Sequence, residues 1–112
     1  MLTVPDQTHV ETATNRLVQA CDPLRVLVFG SFAKGKPMPG SDLDFLVVLP
    51  HVENKRTAAV ALRRVLADLP VPKDIIVTTP EEIDRRGSMV GSLLREALRD
   101  GNLVYERGAN HD

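Results

Sequence analysis

The chain has 112 residues, of which 43% are apolar and 26% are charged, and its formal net charge is −1. This balance is typical of one folded domain and excludes extensive disorder, and the weak net charge argues against binding of long nucleic acids. Cys21 is the only cysteine, so an internal disulfide is excluded, and we expect a half-buried thiol at a helix end. No apolar run approaches the roughly 20 residues of a membrane span, and Met1 to Asp6 lack the features of a signal peptide. We therefore expect a single domain over residues 1–112, located in the cytoplasm.

Hydrophobic spacing and glycine or proline breaks divide the chain into helices and strands. Their order predicts an α/β (α+β) fold with a small mixed sheet of about four strands flanked by helices. The tail, residues 107–112, is expected to be disordered. The predicted elements are a helix over 10–21, a strand over 25–29, a turn-rich segment over 31–41, a central strand over 42–49, a helix over 58–69 ended by Pro70, a strand over 73–78, a helix from the capping box Thr79-Pro80-Glu81-Glu82, a helix over 90–98 stopped by Gly101, and a short strand over 102–106.

Two aspartates, Asp42 and Asp44, begin the predicted central strand. Because alternate residues of a strand leave the same face, both carboxylates can reach one ion, with their Cα atoms about 6.6 to 7 Å apart. Asp74 lies near the start of the next strand and joins the same face if the two strands pair. Clustered carboxylates repel one another, and their oxygens suit Mg²⁺ ions that stabilise a phosphoryl displacement. Taken alone, the pair is explained more simply by a turn after Gly40-Ser41, with Asp44 polar at a strand edge.

A glycine-serine turn, Gly30-Ser31, directly follows the first predicted strand. Its backbone N–H groups and the Ser31 hydroxyl are placed to hold an anion such as phosphate, although an ordinary tight turn would have the same sequence. Gly30 to Lys36 also has the spacing of a P-loop. That interpretation is disfavoured because Pro37 occupies the position of the metal-binding Ser or Thr and Pro39-Gly40 prevents the long helix that a P-loop opens.

The combined pattern resembles the DNA polymerase beta-like nucleotidyltransferase superfamily, and most closely its minimal members. The resemblance is carried by Gly30-Ser31, ten further residues, Asp42-x-Asp44, and then Asp74 at the start of a strand. It covers about residues 25–78, and it implies the polymerase beta-like nucleotidyltransferase fold.

Carried over residue by residue, the resemblance implies transfer of a nucleoside monophosphate, AMP from ATP, with two Mg²⁺ ions as cofactors. The implied metal ligands and catalytic residues are Asp42, Asp44 and Asp74, of which Asp74 accepts the proton of the acceptor hydroxyl. The implied triphosphate-binding residues are Gly30, Ser31, Lys34 and Ser41. Lys34 stands where the family often has arginine in Ser-x-Ala-Arg-Gly, which keeps the charge but loses the bidentate fork. A solvated loop lysine is the alternative there.

The acceptor is expected to come from another molecule, because larger members of the superfamily usually carry an additional acceptor domain. Minimal members resemble antitoxins that pair with a HEPN-domain protein and transfer AMP onto it. A hydroxyl of a HEPN-type partner is therefore our first hypothesis, in a hetero-complex or with a homo-oligomer of this chain. A stand-alone small-molecule nucleotidyltransferase of the antibiotic-modifying type, and a non-catalytic module that neutralises its partner sterically, remain as alternatives.

The other polar candidates show no pattern that indicates a site. His9, His51 and His111 lack metal-ligand spacing and are expected to be surface or capping residues. Tyr105 is expected to pack at the last strand. The arginines of the predicted helices are expected to lie on solvated surfaces: Arg56, Arg63, Arg64, Arg85, Arg86, Arg95 and Arg99.

Overall fold

The structure, a computed structural model, describes residues 4–30, 32–35, 38–86 and 93–108. Within these residues the chain forms four helices and four strands, which alternate largely as the hydrophobic pattern predicts. In chain order they are α1 (Gln7–Cys21), β1 (Arg25–Phe29), β2 (Leu43–Val48), α2 (Lys55–Val65), β3 (Lys73–Thr78), α3 (Pro80–Arg86), α4 (Leu93–Asp100) and β4 (Asn102–Glu106).

The four strands form one mixed sheet in the order β3-β2-β1-β4. β1 pairs antiparallel with both β2 and β4, while β2 and β3 run parallel and are connected through α2. The register between β1 and β4 shifts between Val26 and Leu27. The prediction of a small mixed sheet flanked by helices is confirmed, and β2, which carries Asp44, is a central strand.

The helices cover both faces of the sheet, because alternate residues of the strands point to opposite sides. One face packs under α1 and α2, and the other packs under α3 and α4. The first core contains Val10, Ala13, Leu17, Val26, Val28, Leu43, Phe45, Val47, Ala59, Leu62, Leu66, Ile75 and Val77. The second contains Leu27, Phe29, Leu46, Val48 and Ala97, with Ile76, Ile83, Leu94 and Leu98 packed against them.

Asp6 and His9 cap the start of α1. The Asp6 carboxylate accepts from the His9 backbone N–H at 3.0 Å, and the Asp6 backbone N–H donates to His9 Nδ1 at 3.1 Å. Two backbone donors that would otherwise lack partners are thereby satisfied. The expectation that the histidines are surface or capping residues is confirmed for His9 and for the exposed His51, whereas His111 lies outside the described residues.

Replacing Asp6 with alanine is expected to lower the free energy of unfolding by about 1 kcal/mol, because the N-cap acceptor is lost. Urea unfolding of the two proteins measures the difference. Glu11→Ala is the matched control, since it removes an exposed acid from the same helix without touching a cap. An equal loss in both variants would show that charge or helix propensity, and not capping, is responsible.

Several element boundaries differ from the prediction. α1 begins at Gln7 and α2 at Lys55, and Asp42, predicted as the first residue of the central strand, precedes β2 (Leu43–Val48). α2 was expected to continue to Leu69 and to end at Pro70, but it ends at Val65. The Leu66 backbone N–H bonds to Arg63 O at 3.1 Å, and Leu69 bonds to Leu66, so the chain tightens into successive short turns before the proline is reached. In the predicted capping box, Thr79 Oγ1 accepts from the Glu82 backbone N–H at 3.2 Å, but the Glu82 carboxylate instead bonds Thr78 and Lys55.

The described part of the chain end is more ordered than predicted. Arg107, predicted as part of a disordered tail, donates its backbone N–H to Leu24 O at 2.8 Å and contacts Asp22 with its side chain. Residues 109–112 lie outside the described residues, as does the start of the helix predicted over 90–98.

Cys21 is half-buried at the end of α1, as expected, and burial raises the pKa of its thiol to about 11. Tyr105 packs against the first core from β4, which confirms its predicted place. No helix in the described ranges is both long and apolar enough to cross a bilayer.

Candidate active site

Asp44 and Asp74 lie directly opposite each other on the neighbouring strands β2 and β3. Because these strands are parallel and in register, the two side chains leave the same face of the sheet. The strand pairing on which the predicted carboxylate cluster depended is therefore confirmed. Asp44 is not at an edge of the sheet, since β2 lies between β1 and β3, so the alternative of a polar residue at a strand edge is wrong.

The surroundings of the Asp44 carboxyl disfavour its ionised form. Burial, and after it the nearby negative charges of Asp42, Asp74 and Glu96, together raise its pKa from 3.8 to about 6. Asp42 precedes β2 and is exposed, while Asp44 is half-buried. Like charges that cannot all be solvated favour the neutral form of the most buried member. Asp44 is thus the group at which a bound cation would relieve the most repulsion.

Gly30 keeps the space that the Asp44 carboxylate occupies. It follows β1 with a φ of +84°, and a Cβ added there would lie 2.3 Å from Asp44 Oδ2 and 3.3 Å from its Cγ. Phe29 pairs with Asp44 across the antiparallel strands, which brings the end of β1 against the acid. Only glycine combines the left-handed conformation with this approach. The turn at Gly30 and the Asp44 carboxylate are therefore direct neighbours.

The segment after Gly30 forms short turns. The Lys34 backbone N–H bonds to Gly30 O at 3.2 Å, and Gly35 bonds to Phe32 O at 3.0 Å. Lys34 is exposed, and Ser31 lies outside the described residues, so its predicted contact with phosphate stays a prediction. The described part of this segment, residues 32–35, contains no helix of the kind that a P-loop would open.

Ser41 closes the turn that leads into the acidic segment. Its Oγ accepts from the Met38 backbone N–H at 3.0 Å, and its own N–H donates to Met38 O at 2.9 Å. These bonds fix the backbone immediately before Asp42, so the observed contacts of Ser41 are structural. Its predicted role in nucleotide binding stays a prediction.

Asp74 is held from two directions but remains half-exposed. Its Oδ1 accepts from the Ile75 backbone N–H at 2.9 Å and lies 3.7 Å from Arg63 Nη2. The exposed fraction of the Asp74 side chain is 56%, which leaves it open to an incoming molecule. The Asp74 carboxylate can therefore be approached from solvent by another molecule.

Two charged neighbours of this cluster were not predicted. Glu96, on α4, acts on Asp44, because Asp44 and α4 lie on the same face of the sheet. Arg63, on α2, contacts Asp74 although α2 covers the other face, which means that the side chain reaches past the edge strand β3. Neither residue stands in a sequence pattern with the aspartates. Only the packing of the helices brings them to the site.

The donors available for a metal ion are the carboxylate oxygens of Asp42, Asp44 and Asp74. Oxygen donors suit Mg²⁺, which often takes one or two carboxylates and completes its shell with waters and substrate phosphates. The negative charges gathered around Asp44, and the position of its carboxylate against Gly30, fit such a cation. Across the described residues, no group of three or more His, Cys, Asp or Glu side chains is drawn together tightly enough to form a metal cluster by itself.

The raised pKa of Asp44 predicts a stability that depends on pH. Protonation is easier in the folded state, so the contribution of this group is fully present below pH 3.8 and is lost as the pH rises through about 6. Asp44→Asn should therefore stabilise the metal-free protein at pH 8 but not at pH 4. Because Asp44 is only half-buried and solvent screens its charge, we expect a gain of about 1 to 2 kcal/mol in urea unfolding. A gain of the same size at both pH values would exclude the ionisation of Asp44 as its cause.

A parallel strand pair that carries opposed acids beside a glycine turn is an arrangement suited to an enzyme that handles phosphate groups. The chain belongs to the nucleotidyltransferase domain family, whose model matches residues 10–101. None of the curated proteins matches it.

Two solved structures are similar to the chain in fold. A protein from Sulfolobus solfataricus, provisionally described as a nucleotidyltransferase, superposes with a TM-score of 0.63 and 21% sequence identity, and the match covers 94% of this chain and 84% of that one. A structure described as a toxin-antitoxin with AMP-PNP has a TM-score of 0.55 and 19% identity, with 88% of this chain and 74% of that chain covered. At identities this low the likeness shows the fold, which is the nucleotidyltransferase fold that the sequence predicted.

Proposed function

We propose that this protein is a magnesium-dependent nucleotidyltransferase that transfers AMP from ATP onto a hydroxyl group of a protein partner. The observation that carries this proposal is the pairing of Asp44 with Asp74, in register and on one face, beside the space kept by Gly30. The family supports transfer of a nucleotide. The metal, the nucleotide and the acceptor are the proposed part.

Asp42, Asp44 and Asp74 would hold Mg²⁺, as two ions. When bound, the cation offsets the negative charge of the triphosphate and of the leaving pyrophosphate. The raised pKa of Asp44 supports this assignment, because burial and the neighbouring negative charges both disfavour its ionised form, which an added positive charge favours.

The protein groups would act around the α-phosphorus of ATP. Backbone N–H groups at Gly30-Ser31, with Lys34 and Ser41, hold the triphosphate. The acceptor oxygen forms a bond to the α-phosphorus, the bond from this phosphorus to the pyrophosphate oxygen breaks, and the proton of the acceptor hydroxyl passes to the Asp74 carboxylate. The exposure of Asp74 supports its role on the acceptor side.

The proposed partner is a HEPN-domain toxin for which this chain serves as the antitoxin. A structural neighbour described as a toxin-antitoxin with AMP-PNP supports both a protein partner and an adenine nucleotide. The reaction is proposed to take place in the cytoplasm, where reducing conditions suit a protein with a single free cysteine.

The test is to purify this chain together with the protein encoded by the adjacent gene and to incubate the pair with Mg²⁺ and ATP labelled at the α-phosphorus. We expect label on the partner protein and an added mass of AMP, both lost when EDTA removes the metal. Each of the other nucleoside triphosphates is tested in parallel. Absence of transfer from all of them would refute the proposal.

Two further arms separate the alternatives. Label on a free aminoglycoside in the absence of any partner would indicate a small-molecule enzyme instead. Neutralisation of the partner that survives asparagine at both Asp42 and Asp44 would indicate a non-catalytic binding module, because steric inhibition does not need the carboxylates.

A further inference from the structure

The outward surface of α2 combines basic and apolar side chains in one stripe. Arg56, Val60, Arg63 and Arg64 are exposed along one side of the helix, and the exposed Ala67 follows in the turns after its end. The opposite side, with Ala59 and Leu62, is buried in the first core. We refer to these five exposed residues as the α2 outer face.

The charge of the α2 outer face differs from that of the whole chain. From Lys55 to Ala67 the sequence has four basic residues and no acidic one, whereas the formal net charge of the protein is −1. Lys55 is paired with Glu82, but Arg56 and Arg64 form no ion pair with any residue that the structure describes. The face therefore presents uncompensated positive charge to a partner.

An apolar centre lies between these arginines. The exposed fraction of Val60 is 40%, and two adjoining shallow cavities, each of about 360 Å³, meet at it. One cavity is bordered by Arg56 and Arg64, and the other by Arg63 and Lys73. An apolar centre with arginines around it is the composition of protein–protein interfaces.

The α2 outer face also reaches the candidate active site. Arg63 belongs to the face and lies 3.7 Å from Asp74 Oδ1, past the edge strand β3. A molecule bound to α2 would therefore extend to Asp74, one of the two exposed aspartates of the cluster. This contact distinguishes the α2 outer face from the arginine-bearing surface on α3. α3 lies on the same face of the sheet as the aspartates, but among the described residues neither Arg85 nor Arg86 forms an ion pair with them.

We infer that the α2 outer face docks an acidic, amphipathic helix of the protein that receives the nucleotide, and so brings the acceptor hydroxyl to Asp74. The inference rests on the proposed function for the identity of the docked protein as the acceptor. Carboxylates of the docked helix would pair with Arg56 and Arg64, and its apolar side would cover Val60. Nucleic acid fits less well, because the face offers no aromatic side chain for base stacking and places an apolar residue at its centre.

The test uses fluorescein-labelled probes and the full chain. The first probe is a synthetic amphipathic helix of glutamate and leucine, about 20 residues or roughly five to six turns long. Its lysine-leucine counterpart and a single-stranded RNA of the same length serve as comparison probes. Fluorescence anisotropy gives the dissociation constants at low and at high ionic strength, and amide chemical shifts of the labelled protein locate the bound peptide.

The decisive variant is Arg56→Glu with Arg64→Glu. Its matched control is Arg85→Glu with Arg86→Glu, which changes the net charge equally on the exposed surface of α3. We expect the first variant to bind the acidic peptide at least about tenfold more weakly than the wild type and the control to bind within about twofold. Val60→Ser should raise the dissociation constant of the acidic peptide about threefold or more without changing that of the RNA. The amide chemical shifts that change when the peptide binds should belong to residues of α2.

Equal peptide binding by the wild type and the Arg56/Arg64 variant would overturn the inference. So would RNA that binds more tightly than the peptide and is lost in that variant, since the face would then be a nucleic-acid site. In the labelling assay, transfer that is undiminished in the Arg56/Arg64 variant overturns the inference while it supports the proposed function. Peptide binding on α2 by a chain that transfers no nucleotide refutes the proposed function and supports the docking face.

Discussion

Replacement of Asp44 with asparagine is expected to lower the rate of nucleotide transfer by about a thousandfold or more, which corresponds to roughly 4 kcal/mol in the barrier. Asparagine keeps the shape of the side chain but removes the charge that would hold a cation at the most confined acid of the cluster. The measurement is the initial rate at which label from the α-phosphorus of ATP appears on the partner protein.

The control for this variant is Asp84→Asn, which removes an exposed carboxylate from α3 and should leave the rate unchanged. Since Asp44→Asn is also expected to stabilise the metal-free protein at pH 8, loss of activity together with a gain in stability would separate a lost catalytic group from a lost fold. Activity within a few-fold of the wild type would show that Asp44 has no catalytic part.

Replacement of Gly30 with alanine is expected to reduce transfer by about a hundredfold and to destabilise the fold by about 1 to 2 kcal/mol. The backbone strain follows from the φ of +84°. The larger effect on activity follows from the added Cβ, which would lie 2.3 Å from Asp44 Oδ2 and displace the carboxylate. Both effects are measured on the same preparation, by urea unfolding and by labelling of the partner.

Gly108→Ala is the control that separates the effect of backbone strain from the effect of displacing the Asp44 carboxylate. Gly108 has a φ of +78°, and nothing lies within 4 Å of a Cβ added there, so the variant shares the backbone strain and lacks the clash. Gly35, at +75° and equally open, repeats the comparison in the turn that follows the site. If all three variants lost activity in proportion to stability, the space beside Asp44 would have no special part.

The sequence predicted the strands best where local pattern and burial agree. β1 and β3 have the predicted limits, because β-branched runs bounded by turns leave little choice of boundary. The end of α2 was predicted four residues too late, at Leu69 instead of Val65. A proline gives the latest position at which a helix can end. Here the short turns that begin at Leu66 end the helix earlier, and no residue type in the sequence predicts those turns.

The candidate site was predictable to the extent that it lies on strands. The pairing of β2 with β3 places Asp74 opposite Asp44. Asp42 was predicted on the same strand but precedes β2, and it lies near enough to Asp44 to help raise its pKa. Glu96 and Arg63 approach the same carboxylates from helices on opposite sides of the sheet. Their approach depends on how α4 and α2 pack, which hydrophobic spacing does not encode.

The negative charges gathered around Asp44 have a practical consequence for the search for a substrate. A ligand that binds only the folded protein raises its melting temperature, by an amount that grows with affinity and concentration. Because a divalent cation would relieve the repulsion around this acid, pairs of metal ions and nucleoside triphosphates can be ranked by heating alone, before any acceptor is known. Calorimetric scans of the purified chain would then reveal its preferred base and ion without a turnover assay.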